Sequence, residues 1–598
     1  MKKKIFLIPV LTSLLLIGCN NTDINIKSEI NYDTDPTDSI TGDSGSNDFD
    51  SQSIGSEDVE VPTTYDTFTD GVISKAGKYY LQGEYDVISI TASKGTELYI
   101  FMDGASISSN TGIAFGSSKQ VKLHLVLLNN SVNSVTNDFL DENAFHIKGE
   151  VHLSGSGTLN VESKQKNGVK VSKDFYIYEG VTLNAIGYNH AITARSITSI
   201  GAVISAVAKT KDGIQLECDD DVTEFTKEQG FAYLINTKYT SDTYGDGIQA
   251  DTFIYISGGQ YDITTHGEFI SYSQTNMSTY GLTKDDFKYM KSGETYKRVA
   301  TDEIRQLSSS YYALANSVKG IKAGAIEYDS DNDDVDDVEV TTGEYQVYIA
   351  HLANIKINSI DDCIHARCGN VTVDAANLEL NSLDDGLHAD YNLSVNNASI
   401  NITASYEGLE GSNVVVDGEN TNIISISEDD GINAASQTVS ENNITIKNGY
   451  LRVYANGDGL DANTALYFEG GVVIVEGPGR NNGSLDAEQI YFKGGIVMAW
   501  STSGMTERMT ATQYTFVWQG STINKDTKVS IVDSNNVAIF SYTLKQSGNQ
   551  LIFSHPDMAA NQTYKIVAGN TNLASITMTS TLVKSGTNQG GHGGPGRP

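Results

Sequence analysis

Proline is scarce in this sequence, with seven residues in 598, whereas glycine is abundant, with 56. Proline removes a backbone N–H donor and is excluded from strands that are hydrogen-bonded on both sides, while glycine supplies corners with positive φ. The balance indicates a chain of paired strands joined by tight turns. The hydrophobic content of 39% is enough to bury a large core.

Cysteine is also scarce, with four residues. The three that follow Cys19 are Cys218, Cys363 and Cys368, an odd number at irregular spacing, which excludes a disulfide framework. A zinc thiolate site would require neighbouring Cys or His pairs. Cys363 takes the place of a glycine in a repeated phrase, so we predict a small buried side chain there.

Basic residues are few relative to acidic ones, 40 against 75, and the net charge is −35. Binding to nucleic-acid phosphates requires clustered Lys and Arg, so this composition excludes a nucleic-acid partner. A strongly acidic protein attracts cations instead.

The apolar run at the N-terminus covers residues 5–17, which is shorter than the roughly 20 residues of a transmembrane helix. Three lysines precede it, and Leu16-Ile17-Gly18-Cys19, which resembles a bacterial lipobox, closes it. We therefore expect residues 1–19 to be a lipoprotein signal peptide and Cys19 to carry lipid. The mature chain is then exported and anchored by its lipid to the membrane, at the cell surface.

Two segments have too few large apolar residues to offset the entropy of ordering. Residues 20–64 are predicted to be a disordered acidic linker, and residues 585–598 a disordered Gly-rich tail. The folded body lies between them.

A phrase of Asp-Gly followed by an aliphatic residue recurs along the body, at intervals of about 22 to 24 residues in its regular part. Each turn of a parallel β-helix is a repeat of about this size, with short strands and tight corners. We predict an all-β fold, a right-handed parallel β-helix (solenoid) over residues 65–500. The phrases are KDGIQLE (211–217), GDGIQAD (245–251), DDCIHAR (361–367), DDGLHAD (384–390), YEGLEGS (406–412), DDGINAA (429–435) and GDGLDAN (457–463).

Two insertions interrupt the repeat, and a different pattern follows it. Between Gly267 and Gly320, the segment 301–318 has apolar residues at spacings of 3, 4, 4 and 3, which predicts a helical insertion with Thr301 as N-cap. The acidic segment 329–339 is predicted to be a solvated loop, with a calcium site as the alternative. Residues 501–584 lack the phrase and are predicted to form a small C-terminal β cap on the open end.

The acids of the repeat should form a ladder, because successive turns stack at about 4.8 Å. Two carboxylates at that separation repel by roughly 3 to 4 kcal/mol at the effective dielectric of a protein surface. Calcium takes oxygen ligands at about 2.3 to 2.6 Å and would bridge the gap, so Ca²⁺ is the predicted cofactor. The candidate ligands are Asp212, Asp246, Asp251, Asp361, Asp362, Asp384, Asp385, Asp390, Glu407, Glu410, Asp429, Asp430, Asp458 and Asp461.

A purely structural role is the alternative for these acids, since an Asp before Gly commonly caps its own corner. The doubled acids, such as Asp361-Asp362, exceed what one corner requires. His365, His388, Lys322 and Arg367 lie beside the acidic corners and are candidate substrate-binding residues. The two histidines occupy the same offset in consecutive repeats, so a plain side-chain stack is the alternative for them.

The order of the phrases KGIKA (319–323), DDCIHA (361–366), DDGLHAD, SYEGLEGS (405–412) and DDGINAA resembles one family. It is the bacterial cell-surface carbohydrate-binding domain-containing family, calcium-containing parallel β-helix proteins similar in shape to pectate lyases. The resemblance covers about residues 64–584. It implies binding of plant cell-wall polymers, cellulose and polygalacturonate (pectate), without demonstrated cleavage.

Together, the resemblance and the acid ladder suggest that calcium on the ladder bridges to the carboxylates of an acidic pectic polymer. A calcium-dependent pectate lyase is the alternative, with Lys322 or Arg367 as the base that removes the proton beside the uronate carboxylate. A structural adhesin without sugar binding is the third possibility. We expect the protein to act as a monomer.

Overall fold

The computed structural model describes residues 60–586, apart from gaps in the insertions and some loops. Cys19, the signal peptide, residues 20–59 of the linker, the acidic loop 329–339 and most of the tail lie outside the described residues. Among the described residues, no helix has the length and apolar character needed to cross a bilayer. The gaps are 140, 220–227, 280, 285–286, 293–294, 300–309, 315–317, 325–344, 437–438, 478–481 and 503–507.

The strands form because apolar residues alternate with polar ones over short segments between glycine or Asx corners. In the strand Thr158–Ser163, every second side chain is buried and the others are half-buried. This period of two directs one set of side chains into the core and the other outward.

The strands before the long insertion are β1 (Val72–Ile73), β2 (Lys78–Tyr85), β3 (Ile88–Ile90), β4 (Thr96–Ser109), β5 (Phe115–Ser117), β6 (Val121–Leu127), β7 (Val132–Asn137), β8 (Phe145–Ile147), β9 (Glu150–Gly155), β10 (Thr158–Ser163), β11 (Val169–Val171), β12 (Asp174–Ile177), β13 (Thr182–Gly187), β14 (Ile192–Ala194), β15 (Ser196–Ile200), β16 (Val203–Ala208), β17 (Ile214–Leu216), β18 (Phe231–Ile235), β19 (Lys238–Thr243), β20 (Ile248–Ala250), β21 (Phe253–Ser257) and β22 (Gln260–Thr265). The insertion contains β23 (Phe269–Tyr272), α1 (Gln274–Thr279), β24 (Tyr289–Ser292), β25 (Thr295–Arg298) and β26 (Tyr311–Leu314).

The strands after the insertion are β27 (Ile321–Ala323), β28 (Tyr345–Ala350), β29 (Asn354–Ser359), β30 (Ile364–Ala366), β31 (Gly369–Asp374), β32 (Asn377–Ser382), β33 (Leu387–Asn396), β34 (Ser399–Ser405), β35 (Leu409–Asp417), β36 (Asn422–Ser427), β37 (Ile432–Ala434), β38 (Asn443–Ile446), β39 (Tyr450–Ala455), β40 (Leu460–Phe468), β41 (Val472–Glu476), β42 (Leu485–Phe492), β43 (Ile496–Ser501) and β44 (Met509–Ala511). The C-terminal strands are β45 (Thr515–Ile523), β46 (Lys528–Val532), β47 (Ala538–Thr543), β48 (Gly548–Ser554), β49 (Thr563–Ala568), β50 (Thr571–Thr577) and β51 (Leu582–Gly586).

The pairing confirms the parallel β-helix, a solenoid of about 15 turns. Strands of one turn pair in parallel with the equivalent strands of the next, as in β17 with β20, β20 with β27 and β27 with β30. The aliphatic residue of each Asp-Gly phrase is therefore stacked on the next one, and all of them are buried in one continuous core. These residues are Ile214, Ile248, Ile321, Ile364, Leu387, Leu409, Ile432, Leu460 and Leu485.

The long insertion is an antiparallel sheet in the order β23-β26-β24-β25, with α1 as its one helix among the described residues. The prediction of a helix over 301–318 is wrong at residues 311–314, which form β26; the segments 300–309 and 315–317 lie outside the described residues. Pairing of β26 with both β23 and β24 overrides the local spacing of apolar residues.

The C-terminal β cap is confirmed. Strand β48 pairs antiparallel with β43, the last strand of its face, and with β45, while β47-β46-β49-β50 form a separate antiparallel sheet. Trp500 and Phe516 belong to a second apolar core beneath the cap. The buried Glu476 of the solenoid accepts hydrogen bonds from Tyr542 Oη at 2.7 Å and from the Lys545 N–H at 2.8 Å.

The three cysteines of the described residues occupy buried or half-buried positions in the solenoid. Cys363 is fully buried in the glycine position of its turn, as expected, and Cys218 and Cys368 are half-buried free thiols. In both of those turns an outer aspartate accepts the cysteine N–H at 2.7 Å: Asp251 for Cys218 and Asp390 for Cys368.

Candidate functional site

One column of polar residues runs along the corner that precedes the aliphatic residue of each turn; we call it the corner column. In its first turns each side chain accepts a hydrogen bond from the backbone N–H of the next member. Asn143 Oδ1 accepts the N–H of Asn167, Asn167 Oδ1 that of His190, and His190 Nδ1 that of Asp212, each at 3.3 Å. The members, in order, are Asn143, Asn167, His190, Asp212, Asp246, Lys319, Asp362, Asp385, Glu407, Asp430, Asp458 and Gly483.

The acids of the corner column continue the same capping. Asp212 Oδ1 accepts the N–H of Asp246 at 2.6 Å, and Asp362 Oδ1 accepts that of Asp385 at 3.1 Å. Asp385 Oδ1 then accepts the N–H of Glu407 at 3.1 Å. Because Asn performs this role in earlier turns, capping requires an acceptor oxygen or nitrogen and does not require charge.

Substitutions at Asp212 should separate capping from charge. Asp212→Asn keeps an acceptor and is expected to change the free energy of unfolding by less than about 0.5 kcal/mol. Asp212→Ala leaves the buried N–H of Asp246 without its acceptor and is expected to cost about 1 to 3 kcal/mol. Urea unfolding of both variants measures this, and equal losses would show that the charge itself is required.

Lys319 neutralises the first doubled acid. Its Nζ lies 3.1 Å from Asp361 Oδ2 and 2.6 Å from Asp362 Oδ2, and all three side chains are at most 12% exposed. Burial alone would lower the pKa of Lys319, but the two carboxylates raise it above its ordinary value. Burial would likewise raise the pKa of Asp362, whereas Lys319 and His388 hold it well below its usual range.

Arg298 of the insertion neutralises the second doubled acid. Its guanidinium forms an ion pair with Asp384, lies 3.3 Å from Asp385 Oδ1, and stacks 4.0 Å from the ring centroid of Tyr406. Lys297, beside it in β25, pairs with Glu428 at 2.6 Å. The insertion therefore covers this part of the acid ladder.

A second column lies one residue after each aliphatic residue; we call it the outer column. His365 and His388 belong to it and stack at 4.3 Å, the side-chain ladder that the sequence left open as an alternative. His365 Nε2 lies 3.0 Å from Asp390 Oδ1, and His365 Nδ1 lies 3.4 Å from Asp362 Oδ2. The further members, in order, are Glu410, Asn433, Asp461 and Asp486.

Several groups of side chains here have ligand atoms within 4.8 Å of one another. They are Asp361 with Asp362 and Asp384, then Asp362 with His365 and His388, and then Asp385 with His388 and Glu410. The first group is the all-carboxylate one, and it already contains the ion pairs of Lys319 and Arg298. The other two contain imidazole, a poor ligand for calcium.

The pKa shifts change sign along the ladder. Burial would raise the pKa of Asp390, but His365 lowers it to about 2. Burial raises the pKa of Glu410 to about 9, despite the nearby His388. Burial and the neighbouring carboxylates Asp385 and Asp430 also raise the pKa of Glu407 well above its usual value. Protein cations thus compensate the acids near Lys319 and Arg298 better than those of later turns.

The later turns form a group that we call the C-terminal acid cluster: Asp429, Asp430, Asp458, Asp461 and Asp486. Burial and the other acids of the cluster raise the pKa of Asp430 to about 8 and that of Asp458 to about 7. In the part of the chain that the structure describes, neither forms an ion pair; Asp430 accepts the N–H of Asp458, and Asp458 that of Gly483. These two acids therefore lack a protein counterion among the described residues, and ionising them is costly unless a cation binds.

Gly457 packs directly against two acids of this cluster. A Cβ at this position would collide with Oδ1 of both Asp429 and Asp430, so the two oxygens lie close to the glycine and to each other. Neighbouring carboxylate oxygens among partly buried acids are the donors that a hard cation such as Ca²⁺ prefers.

The remaining predicted residues lie in earlier turns. Burial and Asp212 raise the pKa of Asp246 to about 7, and its carboxylate lies 3.9 Å from Lys322 Nζ. Burial raises the pKa of Asp251 to about 6. Lys322 is aligned with His365 in the outer column, and Arg367 follows β30 on the outside of the same turn, three residues after Ile364.

Sequence reasoning missed several residues of this region. Lys319 is in register with the corner acids, and the phrase KGIKA carried that signal. Asp486 continues the outer column, and the match between GLDAN and SLDAE at 484–488 pointed to it. Nothing local to Arg298 indicated its position against Asp384 and Asp385.

Some outward tyrosines form ladders between neighbouring turns. Tyr467 and Tyr491 stack with centroids 4.9 Å apart and planes 3° apart, and Tyr255 stacks on Tyr348 at 5.5 Å. Each ring of such a pair covers one face of its neighbour, so that face is closed to stacking by a sugar.

Comparison with known proteins places the chain in a family. A family model for "Carbohydrate-binding domain-containing protein" matches residues 69–386 and 377–575. No curated protein matches the sequence. Among solved structures, the gadolinium derivative of a polysaccharide lyase-like protein from C. thermocellum is similar, with 21% sequence identity. The match covers 33% of this chain and 80% of that chain, and its TM-score is 0.29. Because the matched segments span most of the sequence, this protein belongs to the carbohydrate-binding domain-containing family.

Proposed function

We propose that this protein binds an acidic plant cell-wall polysaccharide, polygalacturonate, through calcium held by the C-terminal acid cluster, and that it does not cleave the polymer. Membership of a carbohydrate-binding family supports a polysaccharide ligand. The observation that carries the calcium proposal is the clustering of acids at Asp429, Asp430 and Asp458, where Asp430 and Asp458 form no ion pair among the described residues.

Charge supports calcium as the link between protein and polymer. The protein carries a net charge of −35, and polygalacturonate carries a carboxylate on each sugar, so direct contact is repulsive. Bound calcium supplies positive charge and coordination positions that uronate carboxylates fill. Asp429, Asp430 and Asp458 would hold it, and Asp461 and Asp486 would add negative charge around it.

The donor set decides which turns suit calcium. The doubled acids at 361–362 and 384–385 are neutralised by Lys319 and Arg298, and an ion there would have to displace a buried cationic side chain. The C-terminal acid cluster offers oxygen donors, and Asp430 and Asp458 lack an ion pair among the described residues. We therefore assign calcium to the later turns of the ladder.

The test is retention on polygalacturonate with calcium or with the chelator EGTA. The protein is expected to be retained only with calcium, and Asp430→Asn combined with Asp458→Asn should weaken retention at least about tenfold, a loss of about 1.4 kcal/mol. Asp262→Asn, at an exposed aspartate of β22, is the matched control and should bind normally.

Three outcomes would contradict the proposal: retention that survives EGTA, a double variant that binds as tightly as the parent, or no retention on polygalacturonate. Ultraviolet absorbance of the polymer solution should stay flat, because an unsaturated product would reveal lyase activity. Binding to cellulose, measured in parallel, tests the second polymer that the family resemblance implies.

We place this binding at the cell surface, with the protein exported as a monomer and held by lipid on Cys19. The short apolar run before Cys19 and the lipobox-like residues support this proposal. A Cys19→Ser variant is expected to leave the membrane fraction. Equal membrane retention of the variant and the parent would contradict lipid anchoring.

A further inference from the structure

A tripod of metal-ligating atoms lies beside the insertion, apart from the residues to which calcium is assigned. His388 Nδ1 lies 3.4 Å from Asp385 Oδ2 and 3.4 Å from Glu410 Oε2. Asp385 comes from the corner column, and His388 and Glu410 are neighbours in the outer column. The solenoid register therefore brings the three side chains together from two consecutive turns.

The geometry and the donors suit a transition metal. Zinc binds histidine nitrogen and carboxylate oxygen at about 2.0 to 2.2 Å, and in a tetrahedral site its ligands are then about 3.4 Å apart. Imidazole suits zinc and its neighbours in the periodic table, whereas calcium takes oxygen ligands. Three protein ligands leave a fourth position open, and His388 and Glu410 are each 24% exposed, so solvent reaches this position.

The residues around the tripod hold its ligands in place. Asp385 Oδ1 accepts the Glu407 N–H at 3.1 Å and lies 3.3 Å from Arg298, which directs Oδ2 toward His388. His388 Nε2, the ring nitrogen opposite Nδ1, lies 3.5 Å from Asp390 Oδ1. Histidines that bind metals commonly direct their second ring nitrogen at a carboxylate in this way.

The stacked neighbour, His365, offers a further ligand atom beside the tripod. His365 Nε2 lies 3.0 Å from Asp390 Oδ1, which assigns the proton to that nitrogen. Its buried Nδ1 then faces Asp362 Oδ2 at 3.4 Å without a hydrogen bond among the described residues. Lys319 Nζ, 2.6 Å from the same Asp362 oxygen, already supplies a cation there, so this nitrogen is a donor atom beside the tripod and does not by itself require a metal.

We propose that Asp385, His388 and Glu410 form a binding site for one divalent transition metal ion of the zinc type, with His365 and Asp362 as an adjoining donor pair. This site is independent of calcium and of the polysaccharide. The competing interpretation is a protonated His388 held among carboxylates, which makes the same contacts without a metal.

The test titrates the purified, metal-free protein with Co²⁺ in saturating calcium. We expect one equivalent to bind with the visible absorption of tetrahedral cobalt, and Zn²⁺ to displace it. His388→Gln should weaken binding at least about 100-fold, by loss of a direct ligand. His266→Gln is the matched control, because His266 pairs with a single aspartate on the exposed surface, at 2.7 Å from Asp242.

Glu410→Gln provides a second variant in case His388→Gln does not fold, and it too should weaken Co²⁺ binding. Asp458→Asn should leave Co²⁺ binding unchanged, so failure of the calcium proposal and failure of this one can be told apart. The proposal is overturned if no Co²⁺ or Zn²⁺ binds in calcium, if calcium displaces the cobalt, or if folded His388→Gln binds like the parent.

Discussion

Replacing Lys319 with methionine is expected to lower the free energy of unfolding by about 3 to 5 kcal/mol, because it leaves buried carboxylates without their counterion. The ammonium lies within 3.1 Å of both Asp361 and Asp362, whose side chains are 12% and 3% exposed. Methionine keeps much of the length and apolar character of the lysine stem, so loss of charge dominates the change. Urea unfolding in the absence of calcium measures the effect.

Lys356→Met is the matched control for this prediction. Lys356 and Glu379 also form an ion pair between neighbouring turns, at 2.8 Å, but both side chains are about half exposed. Exposed pairs contribute about 0 to 1 kcal/mol, so this variant should unfold almost like the parent. Similar losses in the two variants would show that the Lys319 charge is not specifically required.

Calcium has a further expected effect on the Lys319→Met variant. With the ammonium gone, Arg298 still pairs with Asp384, but Asp361 and Asp362 lose their counterion within a carboxylate group whose atoms lie within 4.8 Å of one another. Calcium should then stabilise this variant more than it stabilises the parent, since a ligand that binds only the native state adds to its stability. A calcium effect equal to that in the parent would indicate that the lysine does not occupy a cation position.

Raising the pH from 6.5 to 9 is expected to destabilise the calcium-free protein, by about 2 kcal/mol from Asp430 alone. Burial and the other acids of the cluster raise the pKa of Asp430 to about 8, so the native state keeps a proton that the unfolded chain has already lost. Stability then falls by about 1.4 kcal/mol per pH unit until the native group ionises. Glu410, whose pKa burial raises to about 9, acts in the same direction.

The measurement is urea unfolding at pH 6.5, 8 and 9, with and without calcium. The side chain at position 430 cannot ionise in the Asp430→Asn variant. Between pH 6.5 and 9, the free energy of unfolding of the calcium-free variant should therefore fall by about 2 kcal/mol less than that of the parent. Calcium should restore the parent at pH 9, where it binds the ionised carboxylates. A calcium-free profile that stays flat or rises would show that the native pKa of Asp430 is not raised.

Much of the fold follows from the sequence, because its signals are local and periodic. Each turn places the Asp-Gly phrase at one corner, and alternation of apolar residues sets the strand faces, so the stacking of Ile214 on Ile248 follows from register alone. The same reasoning places Asp362, Asp385 and Glu407 above one another. It fails at residues 311–314, where the apolar spacing suits a helix but strand pairing within the insertion decides the structure.

The sequence by itself determined the solenoid, the stacked acids and the excess of negative charge. Only the tertiary structure decided which acids are compensated, because that depends on contacts between residues far apart in the chain. Arg298, 87 positions before Asp385, reaches it from the insertion, and Lys319 enters the corner column through strand register. Asp430 and Asp458 receive no such partner among the described residues, and desolvation there raises the cost of their charge.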